Sequence, residues 1–405
     1  MSSLVQPDHP ATVYRTPESG TRVLTVETPH RPACAPTTAV APPSAVSARA
    51  VILSGGLGGG HDALAAACAA ALAPLGVASL TVDSMALLGA VRGRVGRWAF
   101  RRAVATPAYD LVHFSLLRTA HPATDWGDRR ASARLEAALA GLLGDERIEL
   151  AIPVFATGVR AACRLKEAGK FEKVVTFVPD ALAHALWVDE AVDLFLVTSA
   201  AGAASVRRYR PDAPVRVVDV PLDASFTRPV ERDAARRERG VPACARCVLV
   251  TAGAWGLAPV AEIAAAIAAD GTRVLAVAGR DRRLLARLRE LSRRLPTVQP
   301  VGWTDRMAVL MAASDAVVTT PGMTTHEARA VGRPLILLDV IPGHGRENLQ
   351  YELARGDAAV TGPIPTDVAA AVRAVRGEER QVPRLPNRGG EQFAEVLAEL
   401  GIPRH

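Results

Sequence analysis

From Arg49 onward, short apolar runs alternate with longer stretches whose apolar residues recur at helical spacing. Runs of this kind, bounded by Gly, Pro or polar clusters, predict buried strands, and the amphipathic intervals predict helices. The first half gives strands over Ala50–Leu53, Ser79–Val82, Glu149–Pro153, Val174–Val178, Leu194–Thr198 and Val215–Val218, with helices over Ala63–Ala73 and Arg129–Leu143. The segment Pro221–Pro229, PLDASFTRP, has no clean period and reads as a linker. A second series follows, with strands over Val248–Thr251, Arg273–Ala278, Ala316–Thr319 and Leu335–Leu338. Its helices cover Val260–Ala268, Arg282–Arg293, His326–Ala330 and Asn348–Ala354.

Strands alternating with helices imply parallel sheets covered on both faces. Two such series imply an α/β protein of two Rossmann-like domains, 48–220 and 221–385, with a nucleotide-sized cleft between them. The amphipathic stretch Glu391–Leu400, within 386–405, predicts a last helix that returns to brace the first domain. Residues 1–47 are rich in Pro, Thr, Ser and Ala without period, and predict a disordered tail.

Composition narrows the function. At 405 residues the chain exceeds one ordinary core, and 49% apolar with 22% charged residues describes a soluble globular protein. A net charge of +7 favours anionic partners such as nucleotides or phospholipid surfaces. Only three of the 48 basic residues are lysine (Lys166, Lys170, Lys173), so the charge partly reflects an arginine-rich bias. No zinc-finger spacing or aromatic-rich sheet signature accompanies it, and nucleic acid is not expected as a partner. Cys244 and Cys247 form a CxxC without two further ligands nearby, and read as incidental thiols. The remaining cysteines, Cys34, Cys68 and Cys163, are scattered and suggest no disulfide framework. Met1–Pro10 lacks the apolar core of a signal peptide, and the alanine-rich stretch Asp62–Leu80 is broken by Pro74 and Gly76. Any membrane contact is therefore expected to be peripheral.

The loop Ser54-Gly55-Gly56-Leu57-Gly58-Gly59-Gly60-His61 follows the first strand and opens a helix. Glycines let backbone approach a ligand, and the helix start offers free N–H groups to a phosphate. Gly58, Gly60 and Ala63, with Asp83 about twenty residues on, also satisfy the dinucleotide fingerprint. A Rossmann oxidoreductase stays open on this segment alone. His61 at the lip of the loop is either a local cap or, in a cleft, a group suited to take a proton near neutral pH.

Six blocks in order carry a resemblance across residues 49–380. They are Gly58-Gly59-Gly60-His61; Val178-Pro179-Asp180 with His184-Ala185-Leu186-Trp187-Val188 and Val192-Asp193; and Thr251-Ala252-Gly253-Ala254-Trp255-Gly256. Then come Ala278-Gly279-Arg280; Gly302-Trp303-Thr304 through Pro321-Gly322-Met323-Thr324 and Glu327-Ala328; and Pro342-Gly343-His344-Gly345-Arg346-Glu347-Asn348. Together they resemble glycosyltransferase family 28, nearest the processive diacylglycerol glucosyltransferases and the monogalactosyldiacylglycerol synthases. The chain departs from the family at His344-Gly345, where Gln-Glu is usual. Those side chains are expected to meet sugar hydroxyls, so the donor sugar is in doubt, and a degenerate nucleotide-sugar binder stays open.

The resemblance implies a GT-B fold and transfer of a hexose, with inversion, from a UDP-sugar to a diacylglycerol-like lipid. The alternatives are a soluble natural-product acceptor or a GT-B-type sugar-nucleotide epimerase. His61 is implied as the base, and Asp180 as its partner, as an alternative base or as an acceptor-binding group. Gly59, Gly60, Gly253, Ala254 and Gly256 are implied at the diphosphate, Arg280 beside the uracil, and Met323, Thr324 and Glu327 in the nucleoside pocket, with Glu327 taking the ribose hydroxyls. His344 and Asn348 are implied near the sugar, Asn348 alternatively as a helix cap. Backbone donors stabilise a leaving diphosphate, and no Asp-x-Asp pair occurs, so neither a metal nor a cofactor is expected. On the acceptor side, Arg97, Trp98 and Arg101 within VRGRVGRWAFRR suit an anionic bilayer interface or, equally, an ordinary amphipathic helix.

Overall fold

The computed structural model describes residues 49–56, 59–89, 95, 96, 98, 99, 102–104, 106, 108–228, 230–253, 257–377 and 386–402, and the backbone of 12–15 and 22–25. The first domain holds one eight-stranded sheet in the order β1-β2-β4-β3-β5-β6-β7-β8. Its strands are β1 Thr12–Arg15, β2 Arg22–Thr25, β3 Ala50–Ser54, β4 Ser79–Asp83, β5 Ile148–Pro153, β6 Phe171–Val178, β7 Leu194–Val197 and β8 Val215–Val217. All neighbours are parallel except β1 and β2. The second domain orders β9 Cys247–Thr251, β10 Arg273–Gly279, β11 Val298–Gly302, β12 Ala316–Thr319, β13 Leu335–Leu338 and β14 Ala358–Thr361 as β11-β10-β9-β12-β13-β14. That is a doubly wound arrangement, whose ligand crevice lies outside the carboxyl ends of the two strands where the order reverses.

The central strands are buried on both faces, as continuous Val/Ile/Leu runs require. Each sheet has one apolar cluster on either side. Helix Gly389–Glu399 leaves the second domain and packs Phe393, Val396 and Leu397 into a first-domain cluster. Gly389 lies against the Val220 backbone, where a Cβ would be 2.4 Å from the carbonyl oxygen.

Several elements differ from the sequence reading. Residues 12–15 and 22–25, within the segment expected to be disordered, form an antiparallel pair that adds to the β4 edge. Their short TVYR and RVLT runs alternate like strands but are diluted by the polar residues around them. β11 escaped the pattern because Pro300 interrupts it, and proline is tolerated there because β11 is an edge strand. Four helices start earlier than the pattern suggests: Gly59–Leu72 instead of Ala63, Pro122–Leu143 instead of Arg129, Met323–Val331 instead of His326, and His344–Arg355 instead of Asn348. The last two follow a Pro-Gly pair, which reads locally as loop yet here delivers the chain into the first turn.

Candidate active site

The two crevices face each other. In the first domain the order reverses at β3, between β4 and β5, so the glycine loop after β3 lies beside Val154-Phe155 after β5. In the second domain the corresponding loops follow β9 (Ala252-Gly253) and β12 (Thr320-Pro321-Gly322). Gly253 has φ +61°, and a Cβ there would sit 3.3 Å from Thr320 Oγ1, so glycine suits this turn on both counts. Helices Gly59–Leu72 and Met323–Val331 pack against each other across the seam, with the Gly60 backbone against Met323; a Cβ on Gly60 would lie 3.2 Å from Met323 Cγ.

His61 occupies the first turn of its helix. Its Nδ1 lies 2.8 Å from the Val154 carbonyl oxygen, and its ring meets Phe155 edge-on at 5.0 Å. A carbonyl can only accept, so Nδ1 carries the hydrogen and donates, which makes Nε2 the acceptor nitrogen of the ring in its neutral form. Asp180 follows β6. Burial raises its carboxyl, but the imidazoles of His344 and His61, the Asn348 hydrogen bond and His184 outweigh burial and hold it below the ordinary carboxylate value. The structure thus brings His61, Asp180 and His344 together from three separate sequence blocks. His344 itself is lowered, by burial first and then by His113 and His61, against the opposing pull of Asp180 and Glu347.

Asn348 turns inward across the seam. Its Nδ2 donates to Asp180 Oδ1 at 3.1 Å, and its Oδ1 accepts from Ala181 N at 2.8 Å. It lies in the second turn of helix His344–Arg355, so the cap role considered for it does not hold. The amide ties the two domains and orients Asp180.

On the nucleotide side, Glu327 is part-buried. Burial, with the Asp223 carboxylate nearby, pushes its carboxyl up to about 7. Arg280 lies over the exposed Trp303 ring, 5.6 Å from its centroid, and its charge is felt by Asp62 of the other domain. Met323 packs across the seam against Gly60 and a first-domain cluster. Thr324 is half-buried in the same first turn as Met323. Gly59 is exposed at the start of its helix. Ala254, Gly256, Arg97 and Arg101 lie outside the described residues, as does Gly58. Trp98 is 65% exposed.

Asp83, the acid of the dinucleotide pattern, is occupied within the fold. Its Oδ1 accepts from the backbone N–H of Gly56 (3.0 Å), Met85 (2.8 Å) and Ala86 (3.2 Å), closing the glycine loop and capping the helix that follows. This leaves the oxidoreductase reading without its ribose-binding acid.

Sequence reasoning passed over a set of residues on segment 108–118, from helix Ala108–Val112 into the π-helical turn His113–Leu117. His113 Nε2 meets Glu347 Oε2 at 2.9 Å, and Arg118 Nε meets Glu347 Oε1 at 3.1 Å. Asp110 accepts from Gly343 N at 2.7 Å and pairs with Arg346 at 2.5 Å. Tyr109 is buried against Gly343. No motif marks these positions; their partners come from a segment more than two hundred residues away.

The fold and the paired crevices define the class: two Rossmann-like domains closed over a cleft, the GT-B architecture of glycosyltransferases. Solved structures agree on the fold. The calicheamicin glycosyltransferase CalG4 matches with TM-score 0.57 at 16% identity, covering 88% of this chain and 99% of that one. MurG of Acinetobacter baumannii matches with TM-score 0.52 at 12% identity, covering 86% of this chain and 99% of that one. By sequence, the chain is similar to a probable chloroplastic monogalactosyldiacylglycerol synthase of Glycine max, 27% identical over 223 residues (51% of this chain, 42% of the relative). It is also similar to the processive diacylglycerol beta-glucosyltransferase of Bacillus pumilus, 26% identical over 219 residues (53% of this chain, 57% of the relative). The chain spans about half the length of these curated relatives. No family model matches it.

Proposed function

We propose that this protein is an inverting glycosyltransferase that moves a hexose from a UDP-sugar to the hydroxyl of a diacylglycerol-like lipid, working as a peripheral protein at the cytoplasmic membrane face. The observation that carries the reading is the His61 ring. Its Nδ1–H is fixed on the Val154 carbonyl, its Nε2 is the acceptor nitrogen of the neutral ring, and Asp180 and His344 share its environment at the seam of the two lobes. The similarity to diacylglycerol glucosyltransferases and galactolipid synthases supports the acceptor class.

In this mechanism His61 Nε2 takes the proton from the acceptor hydroxyl as its oxygen bonds to the sugar C1, opposite the breaking bond to the diphosphate. UDP leaves with the bonding pair. The resulting imidazolium is stabilised by the Asp180 carboxylate, which is ionised at neutral pH. The backbone N–H groups about Gly253 are assigned to the departing diphosphate and lower the cost of its charge, while Arg280 is assigned to the nucleobase. Glu327 receives the two ribose hydroxyls, for which it has open acceptor capacity when ionised. No bridging divalent ion enters this scheme, and activity is expected to survive chelation by EDTA.

The deciding experiment supplies radiolabelled UDP-glucose and UDP-galactose to the full chain with diacylglycerol-containing vesicles, followed by organic extraction. Label in the lipid phase supports the reading. Label confined to water-soluble product supports a soluble acceptor, interconversion of the two donors supports an epimerase, and tight UDP-sugar binding without turnover supports a degenerate binder.

A further inference from the structure

Helix His344–Arg355 begins at the sugar end of the proposed site, yet its first turn is completed by the opposite domain. Gly343 precedes it with φ +63° and has no side chain to satisfy the free N–H groups of a helix start. Asp110 supplies the acceptor, taking the Gly343 N–H on Oδ1 at 2.7 Å and the Arg346 guanidinium on Oδ2 at 2.5 Å. One turn on, Glu347 is held by His113 at 2.9 Å and Arg118 at 3.1 Å, with His113 only 1% exposed. The Tyr109 ring fills the space over Gly343, where a Cβ would lie 2.6 Å away, and meets the His344 ring edge-on at 6.0 Å.

The neighbouring position adds a constraint. A Cβ on Gly345 would lie 2.4 Å from Ile341 Cβ and Cγ2. No side chain fits at 345 while Ile341 keeps its place, so of the pair 344–345 only His344 presents a side chain. Its ring forms a triangle with those of Tyr109 (6.0 Å) and His113 (6.3 Å), within the field of the Asp180 carboxylate.

From this geometry we propose that segment 108–118 fixes the sugar end of the donor site, with Asp110 and His113 as positioning residues that set His344 through the first turn of its helix. The inference rests on the glycosyltransferase reading. Because the four polar contacts all cross the seam, they form or break together, and correct placement of His344 coincides with closure of the two lobes. Separation leaves Glu347 without its His113 and Arg118 partners, which favours the closed arrangement.

The test compares UDP with UDP-glucose and UDP-galactose by calorimetry on the full chain, with KM and kcat from the vesicle assay. Asp110→Ala is expected to weaken sugar-nucleotide binding about tenfold or more, appearing mainly in KM, while UDP affinity stays within about twofold. Asp110→Asn keeps an acceptor for the Gly343 N–H and is expected to recover most of the loss. Should Asp110→Ala fail to fold, His113→Gln decides by the same ratio. Equal weakening of UDP and UDP-sugar, or no change in either, overturns the inference while leaving the glycosyltransferase reading intact. A parent chain that binds neither ligand sinks both.

Discussion

One backbone carbonyl decides which nitrogen of His61 is free to act, since the Val154 oxygen can accept only from a protonated Nδ1. Removing that imidazole should cost what a general base contributes. His61→Ala is expected to lower kcat by about 10²–10⁴ with UDP affinity unchanged. A loss of less than tenfold in single-turnover assays would remove the base from the scheme. Glu327 gives a pH dependence of definite sign. With its carboxyl pushed up to about 7, it is protonated below that value and cannot take both ribose hydroxyls. Donor binding should therefore strengthen as pH rises from 6 to 8, with a proton released on binding, and Glu327→Gln should flatten the profile. Calorimetry in buffers of different ionisation enthalpy reads that proton directly. His61, Asp180 and His344 were legible in the sequence because each stands in a block with a recognisable neighbourhood. Asp110 and His113 were not. Within their own segment they are ordinary polar residues of a short amphipathic helix, and only Gly343 and Glu347, brought in by the fold, give them a role.

At the scale of elements, alternation of apolar runs exposes every central strand, because those strands are buried on both faces and carry little but Val, Ile, Leu and Ala. It fails at the edges, where β11 contains Pro300 and β14 is the weakly apolar AAVT, and at the two helices that start just after Pro-Gly. Both helix starts matter, since Met323 and His344 lie in the turns the pattern assigned to loops. The two helices are tied further along by a buried ion network: Arg329 pairs with Glu352 and with Asp357, and Thr325 Oγ1 reaches Glu352 Oε1 at 3.3 Å. Arg329 and Glu352 are 5% and 4% exposed. Removing Arg329 strands the buried Glu352 carboxylate, whereas removing Glu352 would leave Arg329 its Asp357 partner. Arg329→Ala is expected to destabilise the fold by about 3–5 kcal/mol, read as a shift of the urea midpoint at unchanged slope. A double change, Arg329→Met with Glu352→Leu, should recover much of that loss, since apolar residues of similar volume carry no desolvation cost.

For the molecule as a whole, no described helix is long and apolar enough to cross a membrane, so the proposed lipid acceptor would have to be met at the protein surface. Its first domain leaves Val95, Trp98 and Leu111 at 56%, 65% and 70% exposure, with Phe114 at 43%. These residues share the stretch that carries Arg92, Arg94, Arg97, Arg101 and Arg102 in sequence. Apolar side chains interspersed with arginine suit the headgroup boundary of an anionic bilayer, the apolar part entering it and the guanidinium groups meeting lipid phosphates. The stretch also leads into segment 108–118, so the surface that would meet lipid is continuous in chain with the element that grips His344. Vesicles containing anionic lipid should therefore sediment the protein, and raising salt from 0.05 to 0.5 M should weaken binding only in part, because salt screens the arginines but leaves apolar burial in place (a Debye length of about 10 Å at 0.1 M). The pair Trp98→Asp and Leu111→Asp removes two insertions, each worth about 1.5–3 kcal/mol when fully buried, and should weaken vesicle binding by well over tenfold. UDP affinity in solution should stay as in the parent, since neither side chain meets the nucleotide half of the cleft. If the doubly substituted chain still co-sediments at the parental lipid concentration, the membrane-facing surface lies elsewhere on the first domain.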